Sequence, residues 1–270
     1  MDVLTRAADR AAAAVAAIPA HERGTEVGQG QGGDTTLVID QDSEAAIVEV
    51  LEEAHASGLR FDLLSEELGT RSFDGDGLIV VVDPIDGSRN ARRGLPDVAI
   101  SIAVSDGPNL SDMRVGLLHH LGTGERVIAV RGEGVMVDGA PMRPRPYRGM
   151  WLVVTEGTSP RRLAAAMPHI PHANRIRSFG SLALSMEYVA LGRMDGLVVL
   201  RPARIVDIAA AHLIAREAGV IVVDADGHPL DAPITMEWRG ALAIARVPDD
   251  VDALVAATRA GNAITHGYNT

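Results

Sequence analysis

The 270-residue chain has no lysine and no cysteine, and aromatic residues make up only 3% of it. All 25 of its basic side chains are arginine. Without lysine there is no Schiff-base chemistry, no amine general base and no P-loop lysine to hold a nucleotide's phosphates. Without cysteine there is no thiol nucleophile, disulfide, iron–sulfur cluster or thiolate zinc site. With 36 acids the formal charge is −11. An acidic, aromatic-poor chain makes a poor general nucleic-acid binder, because phosphates need clustered positive charge and single strands need stacking platforms. No apolar run approaches the length of a membrane helix. The alanine-rich start carries Asp2, Arg6, Asp9 and Arg10 instead of a signal-peptide pattern. The expectation is a soluble, cytoplasmic protein with no nucleic-acid and no membrane partner.

What is plentiful is carboxylate and small apolar side chains. Apolar residues reach 47%, enough for a sizeable core. Apolar spacing predicts a helix from Asp2 to Ile18 and a second opened by Asp42 or Ser43, with Gly58 as its stop. Residues 22–33 are polar and glycine-rich and read as a flexible loop. Strands are predicted at 61–64, 78–82, 98–104, 115–118, 126–130 and 135–137, a group that reads as antiparallel. Three prolines and three arginines between Ala140 and Met150 mark a boundary. Residues 1–147 are expected to form an α+β domain. Residues 148–270, where predicted strands and helices alternate, are expected to form an α/β domain.

Two apparent motifs carry little. Gly28 to Gly33 fits the dinucleotide-binding G-x-G-x-x-G, but no strand feeds it and no helix follows directly, so a surface loop is the better reading. His119 and His120 are adjacent on a predicted strand and would point to opposite faces, which suits structural roles.

Four other segments place acids at strand ends or helix starts: Leu37 to Glu44, Leu63 to Glu67, Asp83 to Asn90 and Val206 to Ala211. In the third, Asp83 ends a buried strand and Pro84 ends the ladder. That turn can aim Asp83, Asp86 and the Ile85 carbonyl at one point. Crowded carboxylates repel unless a cation neutralises them, and oxygen ligands select hard divalent ions. Gly87 allows close backbone approach, and the N–H groups after it suit a phosphate. Ser88 could orient a water. Glu66 and Asp207 would complete a site for two magnesium ions. Taken singly, an Asp at a helix start is more often a cap than a ligand. The joint occurrence of all four segments shifts that balance.

These segments resemble the inositol monophosphatase superfamily of magnesium-dependent, lithium-sensitive phosphatases, which includes fructose-1,6-bisphosphatases. The family's D-P-[IVL]-D-G-[ST]-x-N matches residues 83–90, its E-E pair 66–67, and its W-D-x-A-A motif 206–211, with Val206 in place of tryptophan. Its D-x-x-x-E matches Asp40 to Glu44, and its R-x-x-G-S-x-A-L matches Arg177 to Leu184. The resemblance implies an alternating five-layer α-β-α-β-α sandwich and a homodimer. It implies that Glu66, Asp83, the Ile85 carbonyl, Asp86 and Asp207 hold two or three Mg2+ ions, with Mn2+ as a substitute, and that Asp40 lies near a weaker site. Glu66 and Ser88 would position and deprotonate the attacking water. Gly87 and Ser88 would bind the phosphate, and Gly180 and Ser181 would lie beside the substrate's ring. The implied substrate is a small phosphorylated polyol or sugar, first inositol 1-phosphate, then fructose 1,6-bisphosphate. A non-catalytic metal- or phosphate-binding relative is the alternative. Two departures bear on specificity. Leu200 stands where many inositol phosphatases carry an acid, and Arg201 and Arg204 add positive charge where a second phosphate could bind.

Overall fold

The computed structural model describes residues 2–31, 33 and 35–264. Its first helix, α1 (Asp2–Ala17), buries Leu4, Ala7, Ala8, Ala11 and Val15 along one face, the spacing that predicted it. A hairpin of β1 (Glu26–Gln29) and β2 (Thr35–Leu37) follows, where the sequence suggests a loop. All four β1 residues are exposed, so no apolar alternation marks the strand. The hairpin is tied down by Gln31 N–H on the Glu67 carbonyl and by the Thr36 hydroxyl on the Glu67 carboxylate. Helix α2 (Val38–Ala56) starts four residues before Asp42. Asp40 occupies its first turn and accepts the Leu37 N–H at 2.8 Å, so this acid is the helix's own capping group.

Eight strands then form one sheet: β3 (Phe61–Ser65), β4 (Gly69–Phe73), β5 (Ile79–Asp86), β6 (Ala99–Ser105), β7 (Met113–His120), β8 (Arg126–Val130), β9 (Gly134–Val137) and β10 (Ala140–Pro141). Their order is β10-β9-β8-β7-β6-β5-β3-β4. The sheet is antiparallel, as expected, except that β3 and β5 run parallel. The short helix α3 (Ser88–Arg92) leaves the end of β5. Five more strands build a second sheet: β11 (Leu152–Glu156), β12 (Arg175–Arg177), β13 (Gly196–Val199), β15 (Ile221–Asp224) and β17 (Leu242–Ala245). Its order is β12-β11-β13-β17-β15, and a two-residue ribbon pairs β14 (Ala203–Arg204) with β16 (Arg239–Gly240). The remaining helices are α4 (Pro160–Ala166), α5 (Leu182–Ala190), α6 (Ile205–Glu217) and α7 (Val251–Asn262).

Packing sorts these elements into five layers. α1 and α2 cover one face of the large sheet with Ile47, Leu51, Leu63, Ile100 and Leu117 between them. α5 and α6 fill the space between the two sheets. α4 and α7 close the outer face of the second sheet. Every residue of α6 from Ile205 to Ala215 is buried, because apolar surface meets it on all sides. Its small residues let it approach closely: a Cβ on Gly116 of β7 would lie 2.6 Å from the Ala210 carbonyl oxygen. Gly116→Ala should therefore cost about 1–3 kcal/mol as an overpacking change. Among the described residues no helix is long and apolar enough to cross a membrane.

The alternating α-β-α-β-α sandwich expected from the motifs is the architecture found. It brings together the ends of β3, β5 and β11 and the starts of α2, α5 and α6, and each of those junctions except the start of α5, which is capped by Ser181, carries an acid.

Candidate active site

Register explains why Glu66 meets Asp83. In the parallel pair Ser65 stands opposite Val82, so the next residue on each strand is an acid. The Glu66 N–H donates to the Val82 carbonyl at 3.2 Å and keeps the two chains together past the ladder. Asp207 arrives from the first turn of α6, its carboxylate accepting the Arg204 N–H at 3.2 Å. Asp40 has the same position on α2, so two of the acids are first-turn carboxylates on their own helix caps. Carboxylate oxygens of Glu66, Asp83 and Asp207 all lie within 4.8 Å of one another, and all three residues are buried.

The proline turn does more than end a strand. Pairing of β5 with β6 shifts between Asp83 and Asp86, forming a bulge where Pro84 has no N–H to give. The Asp83 carboxylate accepts the Ile85 N–H at 3.0 Å, and its other oxygen, Oδ2, is buried with no hydrogen-bond partner. Ser43 of α2 donates to the Pro84 carbonyl at 2.9 Å, and Ser88 donates to the Ile85 carbonyl at 3.0 Å. Gly87 sits at φ +98°, and a Cβ there would be 2.7 Å from the Asp97 carbonyl oxygen, so only glycine fits.

Asp86 stands outside the triplet. Its Oδ2 accepts the Ser181 hydroxyl at 2.5 Å and the Ala183 N–H at 2.6 Å, which fastens the start of α5 to the end of β5. Ser181 is the cap of α5, also accepting the Leu184 N–H at 3.2 Å, and it is fully buried. Of the pair expected beside a substrate ring, Gly180 lines the cavity and Ser181 is turned to Asp86.

Protonation follows the crowding. Burial, with the negative charges of Glu66, Asp86 and Asp207, pushes the Asp83 carboxyl well above the usual range. Burial raises Glu66 to about 8; Arg204 pulls it down and Asp207 pushes it up. Asp86 is raised to about 7 by burial and by Asp207, against its Ser181 and Ala183 hydrogen bonds. Asp40 is raised to about 6 by burial, with the Leu37 N–H opposing; its Oδ1 has no hydrogen-bond partner.

Around the acids lies a cavity of about 690 Å³, lined among others by Glu66, Asp86, Gly87, Ser88, Arg201 and Arg204. Arg201 is exposed and drapes its stem over Gly157. Arg204 lines the same cavity, with its guanidinium engaged by acids. Its guanidinium forks between Asp207, at 2.7 and 3.0 Å, and Glu66. Leu200, at the position noted for specificity, is fully buried in the core beneath the second sheet.

Three residues support the site: Glu156, which the sequence reading missed, and Glu44 and Asn90, which close matched motifs but were given no role there. Glu156 at the end of β11 accepts the Phe179 N–H (2.9 Å), the Gly180 N–H (3.1 Å) and the Ser185 hydroxyl (2.7 Å), which fixes the turn carrying Gly180. Glu44 accepts the Leu68 N–H at 3.1 Å and the Ser65 hydroxyl, which holds the Glu66–Glu67 turn. Asn90 donates to the Asp97 and Phe179 carbonyls, joining α3 to the same Gly180 turn. The signal for Glu156 was present: an acid at a strand end followed by glycine, as in the better-known segments.

The donor set is all oxygen, buried, more negative than one arginine can balance, and includes an orphaned carboxylate oxygen on Asp83. Those properties fit a hard divalent cation held by Glu66, Asp83 and Asp207, with Asp86 and the Ile85 carbonyl adjoining.

Comparison with known proteins gives a consistent result. The model of the inositol monophosphatase family matches residues 1–261. A fructose-1,6-bisphosphatase/inositol-1-monophosphatase of Methanothermobacter thermautotrophicus is 32% identical over 262 residues, covering 90% of each chain. The Nus factor SuhB of Pasteurella multocida is 32% identical over 202 residues, 72% of this chain and 73% of its own. A crystal structure of an inositol monophosphatase-fructose 1,6 bisphosphatase superposes with a TM-score of 0.82 at 26% identity, covering 95% of this chain and 98% of that one.

Proposed function

The chain belongs to the inositol monophosphatase family, and from that premise we propose that it hydrolyses the phosphate monoester of a small polyol or sugar with Mg2+, inositol 1-phosphate being the first candidate. The observation that carries this reading is the buried triplet Glu66, Asp83 and Asp207 opening onto a cavity of about 690 Å³ beside the Gly87–Ser88 turn. As a family member it is a phosphatase acting on phosphate monoesters.

The roles we assign follow the geometry. Glu66, Asp83, Asp207, Asp86 and the Ile85 carbonyl would hold two or three Mg2+ ions, or Mn2+. Bound divalent ions supply Lewis-acid polarisation of the phosphate and lower the pKa of water at the site. Glu66 and Ser88 orient the attacking water, and the Glu66 carboxylate accepts its proton. Asp40, behind Ser88 in the first turn of α2, adds negative charge there. The N–H groups opening α3 after Gly87 face the phosphate, and Gly180 bounds the sugar or polyol ring. With no lysine in the chain, the exposed cations lining the cavity are the arginines Arg89, Arg92 and Arg201.

Arg201 favours a second reading, fructose 1,6-bisphosphate, because a guanidinium at the mouth suits a second phosphate. Leu200 points the same way, since it offers no acid to an inositol hydroxyl. We also infer a cytoplasmic homodimer, which sedimentation tests. The decisive experiment is phosphate release from a panel of polyol and sugar phosphates. Release that requires Mg2+ and falls with Li+ is expected. No release from any member, with Mg2+ bound by calorimetry, would leave a non-catalytic relative instead.

A further inference from the structure

We infer that Arg204 is a resident counter-ion of the acidic cluster: it bridges Glu66 and Asp207 while no divalent ion is there and must yield them when one binds. This rests on reading the cluster as a metal centre. Three facts carry it. The guanidinium is 19% exposed, and it meets Asp207 through both Nε (3.0 Å) and Nη2 (2.7 Å) and Glu66 through Nη1. Glu66 and Asp207 belong to the triplet whose oxygens lie within 4.8 Å of one another, and the fork holds Glu66 Oε1 and both Asp207 oxygens, so a divalent ion taking those atoms would displace it. Arg204 is also the cap residue of α6, three positions before Asp207, so the competing charge is built into the turn that delivers the ligand.

An arginine guanidinium keeps its charge throughout the working pH range, so it cannot leave by losing a proton. It can leave only by rotating, and the cavity beside it gives room, since Arg204 itself lines that wall. The cost of pulling a bidentate, partly buried fork from two carboxylates is subtracted from metal affinity. In return the metal-free protein is spared three crowded carboxylates with no cation at all. Arg204 is thus a positioning residue, and removing it should strengthen metal binding, which loss of a merely structural residue would not do.

The test is calorimetric titration of Mg2+ and Mn2+ into the metal-free full chain and its Arg204→Gln variant. The expected result is a Kd lower by roughly tenfold in the variant, with a lower metal-free Tm and a larger rise in Tm on adding metal. Equal or weaker binding by a folded variant overturns the inference and leaves the metal reading intact. If neither protein binds metal, the metal reading falls and takes this inference with it. A second measurement uses the wild-type chain alone. The Arg204 Nε–H, held on Asp207 in the metal-free protein and assigned by its absence in Arg204→Lys, should shift in a 15N NMR titration with Mg2+. A signal unmoved through saturation overturns the inference.

Discussion

Two groups of acids in this molecule each surround one arginine, and they end in opposite states. At the junction of β3, β5 and α6, Arg204 forks between two carboxylates of a buried triplet, while Asp83 Oδ2 has no hydrogen-bond partner. On the far side of α5, Arg193 meets both oxygens of Glu125, at 2.5 and 2.6 Å, and reaches Glu187 at 3.5 Å. The second group is a planar, bidentate pair with one extra acid. The first is a fork stretched across acids whose backbone positions were set by strand register and a proline bulge. Burial alone does not separate them, because Glu187 is also buried and also has an unpartnered oxygen. What separates them is the number of acids per cation and a wall of backbone turns and glycine opening onto a large cavity. A cluster that cannot neutralise itself, beside room for a ligand, is where a divalent ion belongs.

The strongest way to break the contrast is to neutralise Asp83, the acid with an unpartnered oxygen. In Asp83→Asn the amide oxygen can keep the Ile85 N–H, so folding should survive. Phosphate release should fall on the order of 10³-fold, while the metal-free Tm rises or holds as repulsion is removed. Turnover near wild type would show that the site lies elsewhere.

A smaller effect is expected one step out. Ser181→Ala takes a donor from Asp86 and the cap from α5 together. The loss should be about 1 kcal/mol of stability and roughly 10-fold in activity, as when a ligand's supporting hydrogen bond is removed. A change in stability with unaltered activity would mean that Asp86 needs no help from α5.

How much of this was readable beforehand depends on range. Asp83-Pro84-Ile85-Asp86-Gly87-Ser88 is local: proline, glycine and two acids at fixed spacing specify a turn chemistry by themselves. Helix α1 and most strands of the large sheet announced themselves by the spacing of their apolar residues. The hairpin of β1 and β2 did not, because much of its hold comes from residues distant in sequence, Glu67 on Thr36 and Gln31 and Arg92 on Glu26, which are adjacent only in space. The partner of Arg204 was hidden for the same reason. Its neighbour Asp207 is three residues along, but Glu66 comes from another strand, and only the assembled sheet shows that the cation's charge is already used.

The two groups should also part company in how Mg2+ acts on them across pH. Glu66 and Asp86 have folded pKa values near 8 and 7, above their ordinary carboxyl values. A carboxyl raised by folding contributes stability that is full below its ordinary value near 4 and is lost as pH climbs through the raised one. Without metal, Tm should therefore fall by a few degrees between pH 5 and pH 8, and Mg2+ should restore it most at the upper end, where its ligands are ionised. A restoration independent of pH would argue against metal binding at these acids.

Glu187 supplies the control with the smallest effect. Its carboxyl is raised to about 8 by burial and then by Glu125, with Arg193 opposing. The sign is the same: its contribution is present in acid and lost toward pH 8. Gln is close in shape and never ionises, so Glu187→Gln should match wild type at pH 5, where the native carboxyl is already neutral. Toward pH 8 the variant should become the more stable protein, by no more than about 1 kcal/mol because Arg193 returns part of the cost. Its response to Mg2+ should be that of the wild type, since no ligand of the β3–β5–α6 junction has changed. Thermal melts of both proteins at the two pH values, with and without Mg2+, read all of this at once. If Mg2+ stabilised the variant less than the wild type, the ion would be reaching the Arg193 group as well, and the division between a self-balanced pair and an unbalanced triplet would fail.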